Sequence, residues 1–206
     1  MNQVEALAKI EALGQPVFQT KDIAAAVGVT STNANKIAAR LAGSGFLIRL
    51  ARGRWMLSRE RNKLLVPEEL TAPYPVYISL QTALYHHGMV SQIPSVTYAV
   101  SLARTRHYDT PIGTFSIHHV APDFFFGFER DRTNTPIAVP EKALLDVLYL
   151  SQTKTRLFVT LPELDLPKSF SWRKAADFVR CIHSLARRRT VEQKLAQLKR
   201  QITGRV

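Results

Sequence analysis

The chain has 206 residues, 46% hydrophobic and 21% charged, which is ordinary globular usage; it excludes wholesale disorder and fits one core or two small ones. Its net charge of +12 is unevenly spread: ten Lys and Arg stand against four Asp and Glu in residues 1–63, seven against ten in 64–167, and eleven against two in 168–206. Two basic ends around a mildly acidic middle favour an anionic partner, nucleic acid first. The single Cys181 excludes an internal disulfide, the first residues lack the pattern of a secretory leader, and no apolar run nears the ~18 residues that cross a bilayer. The expectation is a cytoplasmic protein without a membrane partner.

Apolar residues Val4, Leu7, Ala8, Ile10 and Leu13 have near-helical spacing, and Gly14 and Pro16 end that helix. Thr20 is the expected N-cap of a short second helix, with Asp22 in its first turn and Gly28 closing it. After a turn, Thr30 or Ser31 can cap a third helix, "STNANKIAARLAGSG", whose Ala34, Ile37, Ala38 and Leu41 form a buried stripe. Thr32 and Lys36 then lie opposite that stripe, with Asn33 and Arg40 on one flank and Asn35 on the other.

The run "FLIRLARGRWML" alternates, turns through 51–54 and returns, so it reads as a β-hairpin. Helix, turn, helix and hairpin in this order predict a winged helix-turn-helix domain over residues 1–60. Asn suits adenine and Lys suits guanine in the major groove, so Asn33, Asn35 and Lys36 are the candidates for base edges. Thr30, Ser31, Thr32, Arg40, Arg49, Arg52 and Arg54 are the candidates for the phosphate backbone.

Residues 61–75, within the proline-rich "SRERNKLLVPEELTAPYP", read as a linker to a mixed α/β C-terminal domain over 76–206. The expected class is therefore α+β. In "YISLQTALYHHG", Ser79 has the position of an N-cap that spends its hydroxyl on backbone amides, and Gly88 that of a helix terminator. His87 falls on the buried stripe with Leu80, Ala83 and Leu84, while His86 diverges by about 100°, so the pair cannot chelate a metal together. His118 and His119 are neighbours on a strand and point to opposite faces. No spacing matches a metal signature, and none is expected.

The runs "SVTYAVSLA" and "GTFSIHHVA" are expected to pair antiparallel. "TPIAVPEKALLDVLYL" predicts a helix from Pro140 with Ala143, Leu144, Val147 and Leu148 as its stripe. A restriction-type nuclease needs an acid–x–Lys on a strand, whereas Glu141 and Lys142 are adjacent on this helix. Even so, a nucleic-acid-processing enzyme targeted by a winged helix is the alternative function. The C-terminus predicts two basic helices, the second capped by Thr190. There Arg187, Arg188, Arg189 and Lys194 are candidates for a second basic surface, with Lys199, Arg200 and Arg205 beyond.

The blocks "YISLQTALYHHGMVSQIP", "TYAVSLARTR", "GTFSIHHVAPDFFFGF" and "AVPEKALLDVLYL", behind a basic hairpin ending "RGRWML", resemble the AbiEi family over roughly residues 1–150. Its members are antitoxins of type IV toxin–antitoxin systems and transcriptional regulators. The resemblance implies a bacterial, cytoplasmic repressor that binds double-stranded DNA at inverted repeats in its own promoter. It also implies a C-terminal domain that counters a nucleotidyltransferase-like toxin without needing a stable complex, and neither a cofactor nor catalysis of its own.

Overall fold

The computed structural model describes residues 2–60, 62–151 and 163–204. It is a mixed α+β fold with two sheets. The N-terminal part runs α1 (Gln3–Glu11), β1 (Val17–Gln19), α2 (Thr20–Val27), α3 (Ser31–Gly43), β2 (Leu47–Ala51) and β3 (Arg54–Leu57). Asn2 and Glu5 close a capping box at α1, each side chain taking the other's backbone N–H. The helices bury Ile10, Ile23, Ala34, Ile37 and Leu41 in one core with Phe18 and Trp55 from the strands.

The strands pair antiparallel in the order β1-β3-β2. Strand β1 was not expected from the sequence, where Pro16 marks only a break. The β2–β3 turn passes through Gly53 at φ +71, a backbone setting that glycine takes without a Cβ clash. The start of α2 also differs from expectation. Asp22 accepts from the Gln19 N–H at 2.7 Å and Gln19 is the N-cap, so the Thr20 hydroxyl is released for tertiary bonds.

Much of the expected linker is packed structure. After a 3₁₀ turn at Lys63–Leu65, α4 (Val66–Thr71) buries Val66 and Leu70 beside Val17, Leu50, Met56 and Phe115. That cluster joins the N-terminal sheet to the second sheet. Short apolar spacing and three prolines hid a single-turn helix whose burial comes from tertiary contact.

The second part contains β4 (Val76–Ile78), α5 (Leu80–His86), β5 (Val96–Ser101), β6 (Arg106–Thr110), β7 (Gly113–His119), β8 (Phe128–Arg130), β9 (Pro136–Ala138), α6 (Pro140–Leu150), α7 (Trp172–Arg180) and α8 (Leu185–Thr203). Its six-stranded sheet has the order β6-β7-β5-β4-β9-β8. Strands β5 and β7 are parallel neighbours, not the antiparallel pair expected. The reason is β6, which turns through 110–113 and takes the antiparallel edge of β7 for itself.

Helix α6 packs against α5, α7 and α8, so it is covered all round. Glu141, Lys142 and Asp146 are therefore buried along with the apolar stripe. At the C-terminus the second helix begins six residues earlier than expected: Ser184 is the N-cap of α8, and Thr190 lies inside the helix with its hydroxyl on the Ala186 carbonyl at 3.0 Å. Among the described residues no helix is long and apolar enough to cross a membrane.

Candidate nucleic-acid interface

Helix α3 begins where Thr30 Oγ1 accepts the Asn33 N–H, and its buried face is the expected Ala34, Ile37, Ala38 and Leu41. The opposite face carries Ser31, Thr32, Asn33, Asn35, Lys36 and Arg40, all exposed, and Thr30 is exposed beside them. No acid occurs anywhere in α3, so neither its first turn nor its outer face offsets an approaching phosphate. Arg49 and Arg52 are exposed on the adjacent hairpin, with the Arg49 guanidinium 5.8 Å from the Trp55 ring centroid.

A hydrogen-bonded chain distinguishes the two asparagines. The Trp55 indole N–H can only donate, and it does so to Thr20 Oγ1 at 3.0 Å. The Thr20 proton then goes to Asn35 Oδ1 at 2.9 Å. The Asn35 oxygen is thus tied to Thr20, and its amide is less free to turn toward a base edge. Bidentate recognition of adenine requires the oxygen as well. Asn33, whose side chain makes no hydrogen bond among the described residues, keeps both.

Arg54 departs from its expected role. Its Nε donates to the Glu69 carbonyl and its Nη2 to the Ala72 carbonyl at 3.3 Å, so it ties the hairpin to the end of α4. The C-terminal arginine run is similarly engaged. Arg187 donates to Tyr149 Oη at 2.6 Å and lies over its ring, Arg188 donates to the Ile182 carbonyl at 2.8 Å, and Lys194 donates to Ser151 Oγ at 2.7 Å. Arg187 and Lys194 fasten α8 to α6 and its C-terminal end, Arg188 holds the α7–α8 connection, and Arg189 is exposed. Arg205 lies outside the described residues.

The histidines do not converge. His87 caps the end of α5 with Nε2 2.7 Å from the Ala138 carbonyl, and the His86 ring stands edge-on to it with centroids 5.2 Å apart. His118 is buried against Ser116 Oγ at 2.8 Å, whereas His119 is exposed and pairs with the Ala103 carbonyl. Burial, reinforced by the neighbouring His107, pushes the His118 imidazole down to about 4. Among the described residues no three His, Cys, Asp or Glu side chains gather as metal ligands.

A buried polar cluster was missed in the sequence. Tyr77 Oη and Ser79 Oγ both donate to Asp146 Oδ2, at 3.0 and 2.6 Å, and Lys142 Nζ donates to Asp146 Oδ1 and to Tyr77 Oη. All four side chains have no solvent exposure, and the Lys142 ammonium lies 3.8 Å from the Phe124 ring centroid. Desolvation raises the Asp146 carboxyl and lowers the Lys142 ammonium from their ordinary values, each opposed by the partner's charge. Ser79 holds the N-cap position of α5 as expected, but its hydroxyl is spent on Asp146 and not on the backbone amides, and the helix begins at Leu80 with φ +56. The available signal was a Lys and an Asp four positions apart in an otherwise apolar helix.

Compared with known proteins, the chain matches no family model and no curated protein.

Proposed function

We propose that the N-terminal part is a winged helix and that the chain is a DNA-binding transcriptional repressor. The observation that carries this reading is the acid-free outer face of α3, with Asn33, Asn35 and Lys36 exposed beside the Arg52 hairpin turn. Polar side chains at that spacing suit base edges in a major groove, and the flanking cations suit phosphates. Asn33 and Lys36 would read bases, Asn35 would supply one donor, and Thr30, Ser31, Thr32, Arg40, Arg49 and Arg52 would hold the backbone.

In the same reading the protein is a cytoplasmic antitoxin of the AbiEi type. It represses its own operon at inverted repeats and counters a nucleotidyltransferase-like toxin with no cofactor or catalysis of its own. The support for this half is the resemblance of the sequence blocks between residues 77 and 150. A reporter under the chain's own upstream DNA tests the repressor, and co-expression with the neighbouring reading frame tests the antitoxin. Repression should be lost in Asn33→Ala/Lys36→Ala, and growth arrest by the neighbouring product should be relieved by the full chain. Metal-dependent cleavage of the same DNA would favour a nucleic-acid-processing enzyme instead.

A further inference from the structure

A cleft of about 710 Å³ opens between the N-terminal hairpin and the second sheet. Arg52 from the β2–β3 turn, Arg54 from the start of β3, Arg104 from the β5–β6 connection and Arg106 from the start of β6 line it, while Tyr74, just after α4, adds an aromatic wall. Among the described residues no carboxylate lines it. Elsewhere several surface arginines are paired, Arg59 with Glu11, Arg130 with Glu68 and Arg180 with Asp177. Arg104 and Arg106 also stand out from their own segment, because residues 64–167 hold more acids than bases.

Two of the four guanidiniums are held in place. Arg54 is fixed on the Glu69 and Ala72 carbonyls. Arg106 lies 5.0 Å from the centroid of the Tyr108 ring, which is itself anchored by its hydroxyl on the Leu70 carbonyl at 3.1 Å. Arg52 and Arg104 are exposed and have no ion pair among the described residues. Like charges converging on a concave surface concentrate positive potential, and an anion in the cleft relieves their repulsion. Guanidinium forks match phosphate oxygens, and the volume is that of a small-ligand site. Tyr74, 55% exposed, offers a face on which a base can stack.

We propose that this cleft binds a nucleoside di- or triphosphate, with the phosphates on Arg52, Arg104 and Arg106 and the base against Tyr74. The site does not depend on DNA reading by α3. Phosphates of a bound duplex are the other source of the same chemistry, and the test separates the two.

The full-length protein is titrated by calorimetry with ATP, GTP, ADP, GDP, inorganic pyrophosphate and, separately, a DNA duplex. At least one nucleotide should bind with a dissociation constant below 1 mM, on the order of −4 kcal/mol or better. Arg104→Ala/Arg106→Ala should weaken it by about tenfold or more while leaving the far-ultraviolet circular dichroism unchanged. Tyr74→Ala should weaken the nucleotide and spare pyrophosphate, and Arg173→Ala/Arg180→Ala, on exposed positions of α7, should change neither. The proposal is overturned by failure of every nucleotide to bind at millimolar concentration. It is equally overturned if the Arg104 and Arg106 changes affect the duplex alone, or if the α7 changes weaken the nucleotide as much.

Discussion

Ser79 Oγ donates a 2.6 Å hydrogen bond to Asp146 Oδ2 across 67 positions of sequence, joining the entry of α5 to the centre of α6. The same carboxylate takes the buried Lys142 ammonium and the Tyr77 hydroxyl, so three elements meet on one charge. Such a pair offsets its own desolvation only while it is fully hydrogen-bonded.

Asp146→Ala strands the Lys142 ammonium without its counter-charge and should lower stability by about 3–5 kcal/mol in urea denaturation. Lys142→Met combined with Asp146→Leu removes both charges and should recover most of that loss. A double variant as unstable as Asp146→Ala would show that the pair contributes shape rather than charge compensation.

Gly127 sits at φ +74, and a Cβ there would stand 3.1 Å from Lys142 Cγ, so the Lys142 stem is packed against bare backbone. Gly127→Ala combines a left-handed setting with overpacking and should cost about 2–4 kcal/mol. Wild-type stability in this variant would show that neither constraint holds.

His118 supplies a pH dependence of fixed sign. It is 4% exposed, and its folded value of about 4 lies below the usual imidazole value, so the unfolded chain binds the proton first as pH falls. The contribution is complete above about pH 6.5 and is lost as pH falls toward 4, on the order of 3 kcal/mol. Denaturant unfolding between pH 4 and 8 should show this slope in the wild type and a shallower one in His118→Gln. Equal slopes would assign the acid loss to other groups.

The N-terminal helices and hairpin were legible, β1 and the cap of α2 excepted, because local signals agree with tertiary packing there: α3 has its cap and its stripe where residue spacing puts them. The second part was legible in its elements but not in their pairing. A strand such as β6, with exposed Arg106, His107 and Asp109, carries little apolar alternation to reveal it. The buried cluster was hidden for a related reason. Lys142 and Asp146 look like a solvated pair until α5, α7 and α8 cover the helix. In the interface the spacing revealed which side chains share a face, and only the Trp55–Thr20–Asn35 chain shows that the two asparagines differ.

That difference yields a specificity prediction. Asn33→Ala should relax preference at one operator position and cost about 1–3 kcal/mol on the preferred base. Asn35→Ala should cost less, since the Asn35 oxygen is tied to Thr20. Binding to single-base operator variants measures both, and a larger effect at Asn35 would reverse the assignment.

The central claim, that α3 and its hairpin recognise specific DNA, is tested most directly by fluorescence anisotropy. The probes are a duplex from immediately upstream of the chain's own reading frame and a scrambled duplex, each across a salt series. Arg40, Arg49 and Arg52 on phosphates predict a log–log salt slope of about −3 per protomer. The upstream duplex should bind on the order of 10³-fold more tightly than the scrambled one. Asn33→Ala/Lys36→Ala should erase most of that preference. Equal affinity for the two duplexes, with a nearly flat salt response that the double substitution leaves unchanged, would contradict the account.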